Sequence, residues 1–503
     1  MGFPSRVGRS PTIRRWRRYP RRTRHSLGGR KGHEVHPANT GVRRIAIVGA
    51  GISGLGAAWG LSHHPDKFDF RVFEARGEIG GNAVTVDMPQ DDGSSVPFDI
   101  SVTALIPSVY QHVLLLMQKF GIDMLETRFS YSVRYGEGIY AHDFDSDLRQ
   151  ELAKDIAKFQ RLLRHLHRFG RLTRARSRLL NALNPYNYIS MGRVLKLGRF
   201  SDDFKYKILK PMFVNFLMAT DVFAMPASLF ARYLEFFDIE RATTMQTWDQ
   251  GTRRIYENLS LEFRDKIYLN RPVRKVYRQA AGVVIEDENG VREEFDDVIL
   301  ACNANQSLAL LDDPTRLERY ILSSIRYDTE LHHNAVVHAD SSVLPDDAMK
   351  ALDTRSNYVE QYGEKPDNYQ ITYIMHNQQP WAHGSDKPLL VTYNAVRPID
   401  KDKIVKEMSF QHIIHDVRHI AVLVQLFRFI QGKRRTWHCG AHTLVNSQET
   451  CFITGLAAAR QLGADYPFDD EEARQVFNYY GSIMYGRRFR KVRRGERRVT
   501  HSI

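Results

Sequence analysis

Residues 45–54 read Ile45-Ala46-Ile47-Val48-Gly49-Ala50-Gly51-Ile52-Ser53-Gly54, an apolar run that enters three closely spaced glycines. This is the pattern of a buried strand turning directly into a helix. Gly49 permits the tight turn, Gly51 lets the backbone approach a pyrophosphate, and Gly54 lets the helix lie close on the sheet. Phosphates would then sit at the helix start, where free N–H groups and the positive dipole end favour negative charge. The next apolar strand, Phe70 to Phe73, ends at Glu74. Glu74 follows Gly54 by the roughly twenty residues that bring a carboxylate to ribose hydroxyls. Strand, helix, strand and acid together form a dinucleotide fingerprint.

Glu74-Ala75-Arg76 leads on to the paired Gly80-Gly81 and then Asn82. Two adjacent glycines after a strand allow a second close backbone approach, which a bulky cofactor needs and a plain nicotinamide fold does not. From Leu148 to about Tyr233 the period becomes helical, with Leu152, Ile156, Phe159, Leu163 and Leu166 set among Lys and Arg. This predicts a separate helical layer whose basic face is read as solvated. At Ile267 the period changes again. Val273–Tyr277, Val283–Glu286 and Val291–Phe295 read as a three-stranded meander, with a tight turn at Asn289-Gly290. Asp297 to Cys302 reads as a buried strand returning to the parallel sheet, and Asn334–His338 and Tyr369–Met375 predict a second sheet. The last signal is Thr436-Trp437-His438-Cys439-Gly440-Ala441, followed by Glu449 and a helical run from Phe452 to Leu462.

A chain of 503 residues exceeds one ordinary core. Its 43% hydrophobic and 11% aromatic content is that of a soluble globular protein. The apolar stretch Val422–Ile430 is cut by Gln425 and Arg428, so no spanning helix is expected. The formal charge of +14 resides in two tails: residues 1–40 carry ten Arg and one Lys against Glu34, and residues 481–503 carry eight basic residues against Glu496. The body between them is close to neutral, which argues against nucleic acid as a partner. The N-terminal arm is read as disordered, with mitochondrial targeting or contact with an anionic membrane surface as the alternatives. Cys302, Cys439 and Cys451 form no disulfide framework, so an intracellular, reducing compartment is expected, the cytoplasm first. His412, His415 and His419 share helical spacing, and His438 and His442 flank Cys439, but neither set has the pattern of a metal site.

These separated signals resemble the flavin-containing amine oxidase and phytoene desaturase-like superfamily, which shares the glutathione-reductase-type fold. Within it the chain is most similar to a branch of predicted FAD/NAD-binding oxidoreductases, through Val298 to Leu311, Thr372 to Met375 and Trp437 to Ala441. The resemblance implies an α/β fold in which a Rossmann-like FAD-binding domain with its meander is interleaved with an α+β substrate domain. The FAD-binding parts would be 41–125, 245–320 and 430–465, the substrate parts 126–244 and 321–429, and 466–503 a C-terminal helix and basic tail. It implies FAD held non-covalently, no Cys lying in the roughly thirty residues upstream of Cys439 where a covalent flavin link would be expected. Gly49, Gly51, Ser53 and Gly54 would hold the pyrophosphate and Glu74 the ribose. Ala75, Arg76, Gly80, Gly81 and Asn82 would line the way toward the flavin, Val273 would meet the adenine, and Gly440 and Glu449 would face the pyrophosphate and flavin.

Several positions depart from that superfamily's pattern. Asn82 stands where amine oxidases usually carry Arg, Ser101 where Gly is common, and Gln448-Glu449-Thr450-Cys451 where the branch has His-Glu-Asp-Gly. Ser447 occupies an aromatic position, and no Lys lies between Lys275 and Lys350 to approach the flavin through water. These departures favour oxidation or isomerisation of a small, apolar, lipid-like substrate over amine oxidation. An amine oxidase with an altered cage is the alternative, and a non-catalytic escort-type protein the alternative of another class. His333 and His338 are the candidates for a proton carrier, with core packing as the competing role. Substrate, electron acceptor and oligomeric state do not follow from the sequence.

Overall fold

The first strand, β1 (Arg43–Val48), turns at Gly49 into helix α1 (Ile52–Ser62), and β2 (Phe68–Phe73) returns beside it. The computed structural model describes residues 41–489, apart from 137, 175–180, 329–333, 345–356, 364 and 366–367. The basic arm, the end of the C-terminal tail and His333 therefore lie outside the described residues. Met1–Gly41 form a unit separate from Val42 onward.

β1 is central to a five-stranded parallel sheet whose order across the sheet is 436–438, 297–300, 43–48, 68–73 and 267–268. Ile45, Ala46 and Ile47 are inaccessible, as a strand covered on both faces must be. One face is covered by α1, itself buried from Ile52 to Leu61. α1 is apolar all round because a second helix, Gln448–Leu462, lies across it. A Cβ on Gly455 would stand 1.9 Å from the Ser53 carbonyl oxygen, so that crossing is closed backbone to backbone. The meander forms as expected from strands Val273–Arg278, Val283–Asp287 and Arg292–Phe295.

The second sheet has seven strands, drawn from 131–141 and 334–409. Its one parallel pairing joins Tyr131–Tyr135 to Asn357–Gln361, and the other pairs are antiparallel. Over it lies the helical layer, from Ala153–Arg174 through Ala227–Tyr233. Tyrosines of the sheet fasten this layer. Tyr131 Oη donates to the Ile208 carbonyl (3.2 Å), Tyr369 Oη to Tyr206 (2.6 Å) and Tyr373 Oη to Asn215 (2.6 Å). Residues Phe204–Leu209 form a π-helical turn, whose displaced carbonyls are thereby paired. No described helix is long and apolar enough to cross a membrane.

Helix α2 (Gln111–Phe120) joins the first sheet to the strand pair Met124–Phe129 and Thr243–Trp248. A hub at Asp99 holds the segment before it. The fully buried Asp99 carboxylate accepts from Thr85 Oγ1 (2.6 Å), Trp248 Nε1 (2.9 Å), and the Thr252 N–H (2.8 Å) and hydroxyl (2.7 Å). Burial raises its pKa against the pull of those donors.

Candidate active site

The fingerprint glycines form a cradle with no side chains in it. The Gly49 N–H donates to the Phe73 carbonyl (2.8 Å), and the Ala50 N–H to Glu74 Oε2 (2.7 Å). Glu74 Oε1 accepts from the Arg76 N–H (3.0 Å), so the carboxylate fixes both loops and keeps lone pairs for a ribose. Gly51 and Gly80 bridge in parallel, and the Gly80 N–H reaches the Ala50 carbonyl (3.0 Å). A Cβ on Gly81 would lie 3.0 Å from Gly51 Cα, and one on Gly54 only 1.9 Å from the Gly49 oxygen. Arg76 spans the second loop, its guanidinium donating to the Gly81 carbonyl, while Ala75 stays exposed. Val273 opens the meander, at the register shift before Lys275. Amides at the first turn of α1 lack intrahelical partners. The donors and the bare glycine surface suit a pyrophosphate.

The C-terminal segment meets the same place. Gly440, at φ +119°, directs its N–H to Thr454 Oγ1 (2.8 Å), and its own Cα hydrogen faces Ser53 Oγ, which lies 3.7 Å from where a Cβ would be. The following helix starts at Gln448 because Ser447 Oγ caps it, accepting from the Thr450 N–H (3.1 Å). Ser447 thus caps a helix at the position expected to carry an aromatic ring, and Tyr110, just ahead of α2, lines the same cavity. Cys439 is buried and Cys302 and Cys451 are half-buried, and desolvation pushes Cys302 up to about 11, Cys451 up to about 12 and Cys439 higher.

Two candidate side chains have structural duties. The Glu449 carboxylate turns away from the nucleotide side and caps α2, accepting from the His112 N–H (2.9 Å), the Val113 N–H (3.0 Å) and His112 Nδ1 (2.7 Å). His112 Nε2 continues to Tyr466 Oη (2.9 Å). Only the backbone at Glu449 remains to face a ligand. His338, fully buried, accepts from the Asp340 N–H at Nδ1 (3.1 Å), so Nε2 carries the proton toward Thr392 Oγ1 (2.8 Å). Burial lowers its pKa to about 4 and it does not border the cavity, which corrects its reading as a proton carrier. His412, His415 and His419 are also buried, the last two stacked at 5.2 Å between ring centroids. No group of metal-ligating side chains occurs among the described residues.

A cavity of about 1210 Å³ opens where these pieces converge. Asn82, Ser101, Val102, Ser447 and Gln448 form its wall on the nucleotide side. Phe129, Phe216, Met218, Phe237, Met245 and Met375 supply apolar walls from the helical layer and second sheet. The two departures Asn82 and Ser101 meet each other, Ser101 Oγ donating to the Asn82 carbonyl. Polar side chains line it as well, Arg128, Arg232 and Arg428 among them. Asn357 Oδ1 accepts from Gln378 Nε2 (2.6 Å), which leaves its Nδ2 without a partner, and the Asn215 carboxamide has none.

A family model described as flavin-containing amine oxidoreductase matches residues 52–450. The chain belongs to the flavin-containing amine oxidoreductase family. FAD is accordingly this chain's cofactor, and the glycine cradle has the form that its pyrophosphate would fit. Solved structures share the fold at low identity. The conjugated-linoleic-acid-producing fatty acid isomerase from P. acnes superposes with a TM-score of 0.58 at 17% identity, over 84% of this chain and 99% of that one. Putrescine oxidase with putrescine bound gives 0.59 at 15%, over 84% and 99%. By sequence, 4,4'-diapophytoene desaturase of Staphylococcus aureus strain Newman is 31% identical over 121 residues, 24% of this chain. The chain thus matches only 22% of that curated relative's length.

Proposed function

We propose that this flavoenzyme acts on a hydrophobic, lipid-like carbon skeleton, by dehydrogenation or by moving a double bond. The lining of the cavity carries the reading. Its sole carboxylate among the described residues is Glu235, which is exposed, and it has neither Asp nor Lys. A buried ammonium needs a paired charge, and the nearby buried acid, Glu449, is already saturated by α2. An apolar chain needs only area removed from water, which the Phe and Met walls offer. The isomerase and desaturase likenesses agree with that choice.

FAD, where bound, supplies the electron and hydride chemistry. This chain's residues do the rest. Gly51, Gly81 and the α1 amides anchor the pyrophosphate, and Glu74 the ribose, without a covalent link to the three thiols. The start of the Gln448–Leu462 helix places positive dipole against the cavity wall, favouring negative charge there. The apolar walls exclude water from the reacting carbons. Tyr110 beside Ser447 favours a second reading, an amine oxidase whose aromatic wall has moved to another element.

Anaerobic mixing with unsaturated C18 lipids and with an alkylamine and polyamine panel separates the two. Bleaching of the flavin band by lipid, or a shifted double bond in recovered lipid, supports the first. Bleaching with amines alone, followed by peroxide release once air is admitted, would sink it.

A further inference from the structure

The helix Ala153–Arg174 turns its apolar residues, Ile156, Phe159 and Leu166, into the core. Lys154 and, at steps of three or four residues, Arg161, Arg164, Arg168 and Arg171 lie on the opposite face and are exposed. None of them has an ion-pair partner among the described residues. Arg193, Lys196 and Arg199 extend the patch from the adjoining segment, which Lys158 Nζ joins by donating to the Arg199 carbonyl (3.1 Å). The acids beside it are spent elsewhere: Asp155 holds Ser201, and Asp202 and Asp203 pair with Lys205 and Lys207. Large apolar side chains stand out among these cations, Leu183 at 68%, Leu197 at 69% and Tyr188 at 54% exposure.

The cavity lies on the inner side of this helix, where Leu166, His167 and Gly170 line it, and it reaches the surface beside the cations at the exposed Ala182 and Tyr188. Tyr188 and Leu197 also border a shallow hollow next to it. Exposed leucines among unpaired cations are costly for a surface that meets only water.

We propose that this face docks on an anionic phospholipid bilayer, with Leu183, Tyr188 and Leu197 entering the headgroup boundary and the cavity opening toward the lipid. The cations match the surface charge, each adding about fivefold to partitioning, and the leucines match the acyl layer. Nucleic acid offers the same charge, but nothing for the leucines to enter. The proposal goes beyond the substrate reading and is decided by binding alone.

The full-length holoenzyme is co-sedimented with vesicles of phosphatidylcholine, and of phosphatidylcholine with 25% phosphatidylserine, at roughly 0.05 M and 0.5 M salt. Binding to the anionic vesicles only, weakened at high salt, is expected. R161E/R164E/R168E should lower partitioning by at least about tenfold, L183S/L197S by several-fold, and R161K/R164K/R168K should retain it, which separates surface charge from lost folding. Equal binding by wild type and the Glu triple variant would overturn the proposal, since the basic tails would then account for it. Retention on duplex DNA that depends on this helix, with none on vesicles, would overturn it too.

Discussion

Gly54 is the residue with least freedom in the nucleotide cradle. Any side chain there drives a Cβ into the Gly49 carbonyl oxygen, and neither atom can retreat because both belong to the strand-to-helix turn. Gly54→Ala should therefore yield a protein without the flavin absorbance band, whereas Gly384→Ala, whose added Cβ meets nothing, should keep it. A yellow Gly54→Ala protein would mean that the cradle is wrongly placed. These glycines were legible because their constraint is local: turn, phosphate contact and helix packing fall within six residues. Glu449 was legible as a position and illegible as a side chain. Its partners, His112 and Val113, stand 337 and 336 residues away, and no spacing rule announces them.

At the scale of elements, that carboxylate is the N-terminal cap of α2, supplied by another helix. Two N–H groups and an imidazole lose their acceptor together if it is removed, in a buried place. Glu449→Ala should cost about 3 kcal/mol in urea unfolding of the holoenzyme. Glu449→Gln should recover part of that, because its amide oxygen can still accept. Equal stability of wild type and both variants would show that the cap is not needed. Ser447 teaches the complementary lesson, since its hydroxyl starts the helix four residues ahead of the expected Phe452. The π-turn at Phe204–Leu209 left no trace in the sequence pattern. It exists because tyrosines of a distant sheet accept the burden of its carbonyls.

The whole molecule stores neutral histidines. Burial lowers His338 and His438 to about 4, and His415, His419 and His442 are lowered by burial as well. In the unfolded chain each takes a proton near pH 6.5, so between about 6.5 and 4 the unfolded state binds more protons than the folded one. Stability is then full above pH 6.5 and falls with acid, by up to about 1.4 kcal/mol per pH unit for each group. Asp99, raised by burial, opposes this in part. The thermal midpoint should drop between pH 6.5 and 4.5, and less steeply in His338→Asn, which does not titrate there and whose amide oxygen can still accept from the Asp340 N–H. A flat profile for wild type would contradict the assignment. The interleaving of the two sheets was legible from where the period changed. The parallel pairing of Asn357–Gln361 with Tyr131–Tyr135 was not, because strand order depends on partners more than two hundred residues apart.

Helix α1 has no polar face, and its cover is the helix at Gln448–Leu462. On the ribosome, where roughly 5–20 residues are added per second, α1 emerges on the order of half a minute before that cover exists. During this interval the nascent chain displays an apolar helix and an unfinished parallel sheet. The strand Thr436–His438 of that sheet is made almost four hundred residues after β1. A chain interrupted by a stop codon anywhere before about residue 450 would have its fingerprint intact and nothing to close over it, a substrate for chaperones and proteases rather than for a nucleotide.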